Sequence, residues 1–186
     1  MDKKEEILKS ALNLFVEFGF HGTPTSKIAK EAGIANGTLF HYHKTKDELI
    51  MALYMDINAR LSEYTQANTN KDESLELVFE SYFTNTLEWV QTHTQEFYFI
   101  QQFHNSPFLS MVSQEDIMRH SKYLLGMIEE GLKSKALKQL PADFLFSLVN
   151  SHVYGINQYL SKTNLPSQKQ KELIHISFKI MWDMMT

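Results

Sequence analysis

Apolar residues return every three or four positions along most of the chain, and the places where that period lapses mark its joints. Ile7, Leu8, Ala11, Leu12, Phe15 and Phe18 line one face of a first helix, with Lys3, Lys4, Glu5, Glu6 and Lys9 off it, and Gly19 is its natural stop. Ile28, Ala29 and Ala32 stripe a short second helix that Thr23 would cap, that Pro24 would begin and that Gly33 would end. After this turn, Asn36, Gly37, Thr38 and Leu39 open a third helix whose first turn is small and polar. Thr45, followed three positions later by Glu48, spells a capping box for a fourth helix that carries Leu49, Ile50 and Leu53 inward and runs to about Gln66.

The remaining periods are longer. Asn70 with Glu73 predicts a start for the helix carrying Leu75, Val78, Phe79, Tyr82, Phe83, Leu87 and Val90, which ends near His93. Thr94 to His104 reads as a shorter aromatic helix broken by Ser106 and Pro107. Ser113 with Asp116 opens the next, and Pro141 and Ser167 open the last two. With about nine helices and no alternating strand pattern, the expected class is all-α. Glycines at 19, 22, 33 and 37 crowd the N-terminal stretch, so short elements there give way near residue 50 to long helices. The expected domains are residues 1–50 and 51–186. No linker separates them, so the helix from Thr45 should join them rigidly.

Composition narrows the chemistry. At 43% hydrophobic residues the 186-residue chain supports an ordinary packed core, and with no cysteine it has neither disulfides nor a thiolate zinc site. The charged start lacks an apolar signal core, and no apolar run approaches membrane-spanning length, so a cytoplasmic protein without a membrane partner is expected. Net charge is −4, yet between His21 and Lys46 four lysines (27, 30, 44 and 46) stand against Glu31 alone. That local excess on two short helices joined by a tight turn fits a backbone-contacting surface for DNA. His21, His41 and His43 lack metal-ligand spacing. Because no nucleophile signature, phosphate loop or paired His-Glu motif is present, no catalysis and no cofactor are expected.

The runs Thr23-Pro-Thr-Ser-Lys-Ile-Ala-Lys-Glu-Ala-Gly-Ile, Gly37-Thr-Leu-Phe-His-Tyr and Lys44-Thr-Lys-Asp-Glu-Leu closely resemble the TetR family of bacterial transcriptional regulators, over roughly residues 5 to 55. The resemblance implies an N-terminal three-helix domain that binds double-stranded operator DNA as a homodimer. It further implies a larger helical domain that binds a small effector and dimerises through the last two helices. By position, Thr25, Ser26, Thr38, Tyr42 and Lys46 look like phosphate contacts, while Asn36, Gly37 and His41 occupy places where base edges can be read. Two positions depart from the family pattern. Ala35 stands where a capping Ser or Thr is common, which leaves Asn36 as a cap in a shifted frame, and His43 stands where Phe commonly packs, which suggests pH-dependent operator binding.

Nine of the 23 aromatic residues (13 Phe, 8 Tyr and 2 Trp) lie between Phe79 and Phe108. Each alone reads as core. Together, Phe79, Phe83, Phe99 and Phe103, with Met118, Met127, His152 and Tyr154, suit a pocket for an apolar or aromatic effector that would release a repressor from DNA. Two other readings stay open: a helical small-molecule carrier or enzyme, and a DNA-binding protein that answers to no effector.

Overall fold

A computed structural model describes residues 2–70 and 73–186, with the backbone alone over residues 114–120. It holds nine α-helices among the described residues: α1 (Lys3–Phe18), α2 (Thr25–Glu31), α3 (Asn36–Tyr42), α4 (Lys46–Asn68), α5 (Leu75–Thr92), α6 (Thr94–His104), α7 (Gln114–Lys133), α8 (Ala142–Lys162) and α9 (Ser167–Met185). A 3-10 turn, Pro107–Met111, follows α6, and no strand occurs among the described residues.

The helix ends show why the chain breaks where it does. Asp2 accepts a hydrogen bond from the Lys4 N–H while Glu5 accepts one from the Asp2 N–H, a capping box that starts α1. Gly19 closes α1 at φ 72°, a left-handed conformation that other residues adopt at a cost. Thr23 does not cap α2. It is wholly buried, and its hydroxyl donates to the carbonyls of Leu14 at 3.0 Å and Gly19 at 2.8 Å, binding the turn back onto α1. Pro24 holds the N-terminal flanking position of α2 instead. The start expected at Asn70 also moves: α5 begins at Leu75, after Ser74, whose carbonyl takes the first helical bond from Val78. Asn70 donates to Glu73, and Lys71 and Asp72 lie outside the described residues.

The chain folds as two compact units. The first, here called the head, comprises residues 1–60 and 93–117, and the second comprises residues 61–92 and 118–186. α4 therefore contributes residues to both as one unbroken helix.

In the head, α1 packs against α2 and α6, and α2 packs against α3. Phe15, Phe20, Phe99, Phe103 and Phe108 pack ring against ring at centroid separations of 5.3–6.4 Å, and Tyr54 stacks on Phe103 at 3.9 Å. Arg60 bridges Asp56 on its own helix and Glu96 on α6, and Gln102 of α6 donates to the carbonyl of Val16. The segment 93–117 is thus held against α1 and α4 by an aromatic seam with polar clasps at its edge.

In the second unit, α5, α8 and α9 pack mutually around Phe79, Phe83, Leu87, Leu145, Val149, Phe178 and Met181. Phe83 contacts Phe178, and Phe79 contacts Trp182. Across the same layer the His152 imidazole donates to the Ser177 carbonyl at 2.8 Å, while Lys179 and His175 of α9 pair with Glu76 and Glu80 of α5.

Candidate functional site

The α2–α3 turn is a Schellman motif. Gly33 adopts φ 66°, its N–H bonds the Lys30 carbonyl at 3.1 Å, and the Ile34 N–H bonds the Ala29 carbonyl at 3.0 Å. The chain then leaves in an extended conformation at Ala35 and enters α3 with no side-chain cap, so Asn36 occupies the first helical position rather than a shifted cap. One side chain anchors α3: Leu39 is wholly buried, while Asn36, Gly37, Phe40, His41 and Tyr42 are exposed. A Cβ built on Gly37 would meet nothing within 4 Å, so its surface is open to close approach. Just past α3, His43 turns inward and is buried. A helix held by its inner face alone, with a small and polar outer face, can be laid in a groove without rearranging the core.

Around it, Ser26 is exposed and Thr25 and Thr38 are half-buried. The His41 and Tyr42 rings meet edge-on at 5.8 Å. Lys46 opens α4 beside a cap in which the Thr45 hydroxyl accepts from the Glu48 N–H and the Glu48 carboxylate accepts from the Lys44 N–H. Partial burial draws the Lys46 ammonium below the ordinary lysine range, against the opposing pull of Asp47. A cation so placed gains more from an anionic partner than a fully hydrated one. Lys27 is differently engaged, with its ammonium 3.2 Å above the centre of the Phe18 ring.

Burial, reinforced by the charge of Lys4, holds the His43 imidazole below its usual value despite Glu48 nearby. Its Nε2 has no hydrogen-bond partner among the described residues. The ring fills the apolar position expected of Phe, and its neutral form is the one the fold favours.

The aromatic positions divide between the units. Phe99 and Phe103 belong to the head's ring seam, and Phe79 and Phe83 belong to the core of the second unit, all four without exposed surface. His152 packs on Phe83, and Tyr154 is exposed on α8. The side chain of Met118 lies outside the described residues. Met127 lines a cavity of about 530 Å³ within the second unit. Leu75 and Val78 of α5 form apolar wall beside it, while Gln66, Glu73, Lys122, Tyr123 and Glu130 bring polar groups to the same space. Burial raises the Tyr123 phenol, which keeps it a protonated hydroxyl. Gln66, Glu73 and Lys122 carry no hydrophobic signal in sequence, and only the approach of α4, α5 and α7 brings them together.

The two long C-terminal helices keep a further apolar stripe. Phe144 is 53% exposed and Tyr159 52% on α8, and Ile176 is 54% exposed and Ile180 53% on α9. No helix among the described residues is long and apolar enough to cross a membrane.

A capped first helix, a glycine-closed second and an outward-facing third make α1–α3 a helix-turn-helix DNA-binding arrangement. Residues 7–53 match the family model for bacterial regulatory proteins of the tetR family, and residues 54–186 match the Tetracyclin repressor-like C-terminal domain. The chain belongs to the TetR family. It is 29% identical over 145 residues to the HTH-type transcriptional regulator YhgD of Bacillus subtilis, covering 74% of this chain and 73% of the relative. A Bacillus subtilis fatty acid metabolism regulator protein is 31% identical over 86 residues, 44% of each chain. A crystal structure of a TetR family transcription regulator from Shewanella sp. PV-4 superposes with a TM-score of 0.92 at 27% identity, over 100% of this chain and 98% of that one. The protein is thus a DNA-binding, ligand-responsive transcriptional repressor, and regulators of this family bind operator DNA and dimerise.

Proposed function

We propose that two copies of this chain pair through the exposed stripes of α8 and α9 and present two α3 helices to successive major grooves of a near-palindromic operator. The half-sites would be about 34–36 Å apart, or somewhat more. Asn36, Gly37 and His41 read base edges, and Thr25, Ser26, Thr38, Tyr42 and Lys46 hold phosphates and set the register. The observation that carries this reading is the asymmetry of α3, anchored by Leu39 and open at Asn36, Gly37 and His41.

The effector occupies the cavity beside Met127. Its wall combines Leu75, Val78 and Met127 with the carboxylates of Glu73 and Glu130 and the Tyr123 hydroxyl, which favours an amphipathic molecule over a purely apolar or aromatic one. α4 supplies Lys46 at its first turn and Gln66 to the cavity, so a ligand that shifts the end of α4 alters the spacing of the paired heads. When the heads no longer meet both half-sites together, affinity falls and repression ends.

The test is operator affinity as a function of salt. Lys46→Ala should weaken binding to all duplexes alike and reduce the salt slope by about one per protomer, and Asn36→Ala should relax sequence preference. An unchanged slope in Lys46→Ala removes that contact. Because one relative is named a fatty acid metabolism regulator, fatty-acyl compounds are the first amphiphiles to titrate against the operator complex.

A further inference from the structure

We infer that Phe40 is a specificity-determining residue that recognises a thymine in each half-site through its 5-methyl group. The inference rests on the reading of α3 as the groove-entering helix and goes beyond it by assigning an apolar contact. Phe40 is 40% exposed on α3, between the buried Leu39 and the exposed His41. Its ring has no hydrogen-bonding group, and among the described residues no other ring packs on it. The other exposed phenylalanine of the head, Phe18, has its face covered by the Lys27 ammonium. Tyr42 carries a hydroxyl and meets His41 edge-on.

The exposed part of a hydrocarbon ring gains nothing in the free protein from facing water. In the major groove, the one methyl group on a base edge is that of thymine, and the donors and acceptors there offer a phenyl ring no hydrogen bond. Phe40 therefore carries sequence information by discriminating T from the other bases at one position. Asn36 lies four residues earlier, on the same side of α3 about one turn away, about 6 Å along the axis. That distance spans one to two base-pair steps of about 3.4 Å each, which sets the thymine close to whatever base Asn36 reads.

The experiment removes the methyl and nothing else. Operator duplexes are first selected from a random pool with the full-length protein. Each thymine of the selected half-site is then replaced by deoxyuridine in both half-sites, and binding is measured by fluorescence anisotropy at fixed salt for the wild-type chain, Phe40→Ala and Phe40→Leu. One thymine position should weaken wild-type binding about fourfold per half-site when its methyl is lost. The same replacement should leave Phe40→Ala unaffected and Phe40→Leu partly sensitive. Unchanged thermal unfolding of both variants shows that the head is intact. If the wild type binds its selected operator but no deoxyuridine weakens it, or if Phe40→Ala keeps the full methyl dependence, the inference is overturned and DNA binding by α3 stands. If no duplex is enriched, the groove-entering reading of α3 fails as well.

Discussion

In the head, Phe20, Phe99, Phe103 and Phe108 close a cycle of ring contacts, with Phe15 and Tyr54 packed onto it, so the aromatic surface there is spent on holding α6 to α1. In the second unit, Phe79, Phe83, Phe178 and Trp182 fill the layer between α5 and the C-terminal helices, but a cavity stays open beside Met127 and a stripe of large apolar side chains stays exposed on α8 and α9. Similar composition therefore serves two ends. Rings packed edge and face against one another have a well-defined arrangement, which suits a part that must present α3 at a fixed angle. Unfilled volume and uncovered surface gain free energy only by binding something, which suits a part that pairs and senses.

The largest test of this contrast is the exposed stripe. Ile176→Glu with Ile180→Glu places two charges on consecutive turns of it, and sedimentation should then report a monomer whose operator affinity is weaker by roughly 10² to 10⁴ through loss of bivalent engagement. A dimer that survives the pair of substitutions assigns the interface elsewhere.

Next comes the ring cycle. Phe99→Ala opens a cavity against Phe15, Phe20 and Phe103 and should cost the head about 3–5 kcal/mol. Both tryptophans, Trp89 and Trp182, lie in the second unit, so fluorescence follows that unit while circular dichroism follows every helix. In urea the variant should lose helical signal before its tryptophan emission changes. Coincident transitions at the wild-type midpoint would show that the seam holds nothing together.

A smaller effect distinguishes the head by pH. The His43 imidazole is held below its ordinary value by burial, so between that lowered value and about 6.5 the unfolded chain binds a proton that the folded head does not. Stability contributed by neutral His43 is therefore present above this window and lost as pH falls through it. His43→Phe should flatten the dependence between pH 7.5 and 5, and should add about 1 kcal/mol at pH 7 by removing a buried nitrogen without a partner. An equally steep profile in the variant assigns the effect to other groups.

The smallest shift concerns the cavity. Gly126 lines it, and a Cβ built there meets nothing within 4 Å. Gly126→Leu should raise helix stability by about 0.5–1 kcal/mol, with a small increase in melting temperature. The same leucine should narrow the space and reduce the fluorescence enhancement of anilinonaphthalene sulfonate below that given by the wild type. Unreduced dye binding would place the apolar site elsewhere.

Several helix boundaries were legible from local chemistry. Gly19 and Gly33 take the positive φ angles their positions suggest, Pro141 and Pro166 stand before α8 and α9, and Thr45 with Glu48 caps α4. The capping box of Asp2 and Glu5 was equally visible as Asp-x-x-Glu, but it was masked by the surrounding charges. Thr23 misled because a threonine before proline satisfies the cap pattern, whereas a nonlocal demand, the carbonyls of Leu14 and Gly19, captured its hydroxyl. The aromatic run from Phe79 to Phe108 misled for a related reason. Periodicity shows that a ring faces inward but not which core it enters, and the chain changes unit between Thr92 and His93. Polar wall residues such as Gln66 and Lys122 leave no periodic mark at all.

The claim on which the account rests is that α3 reads DNA twice, in a symmetric pair. Selecting duplexes from a random pool with the full-length protein, followed by sequencing, measures it directly. The account predicts an enriched inverted repeat whose half-site centres lie about one helical turn apart or somewhat more. Enrichment of a single asymmetric site, or none, would contradict it.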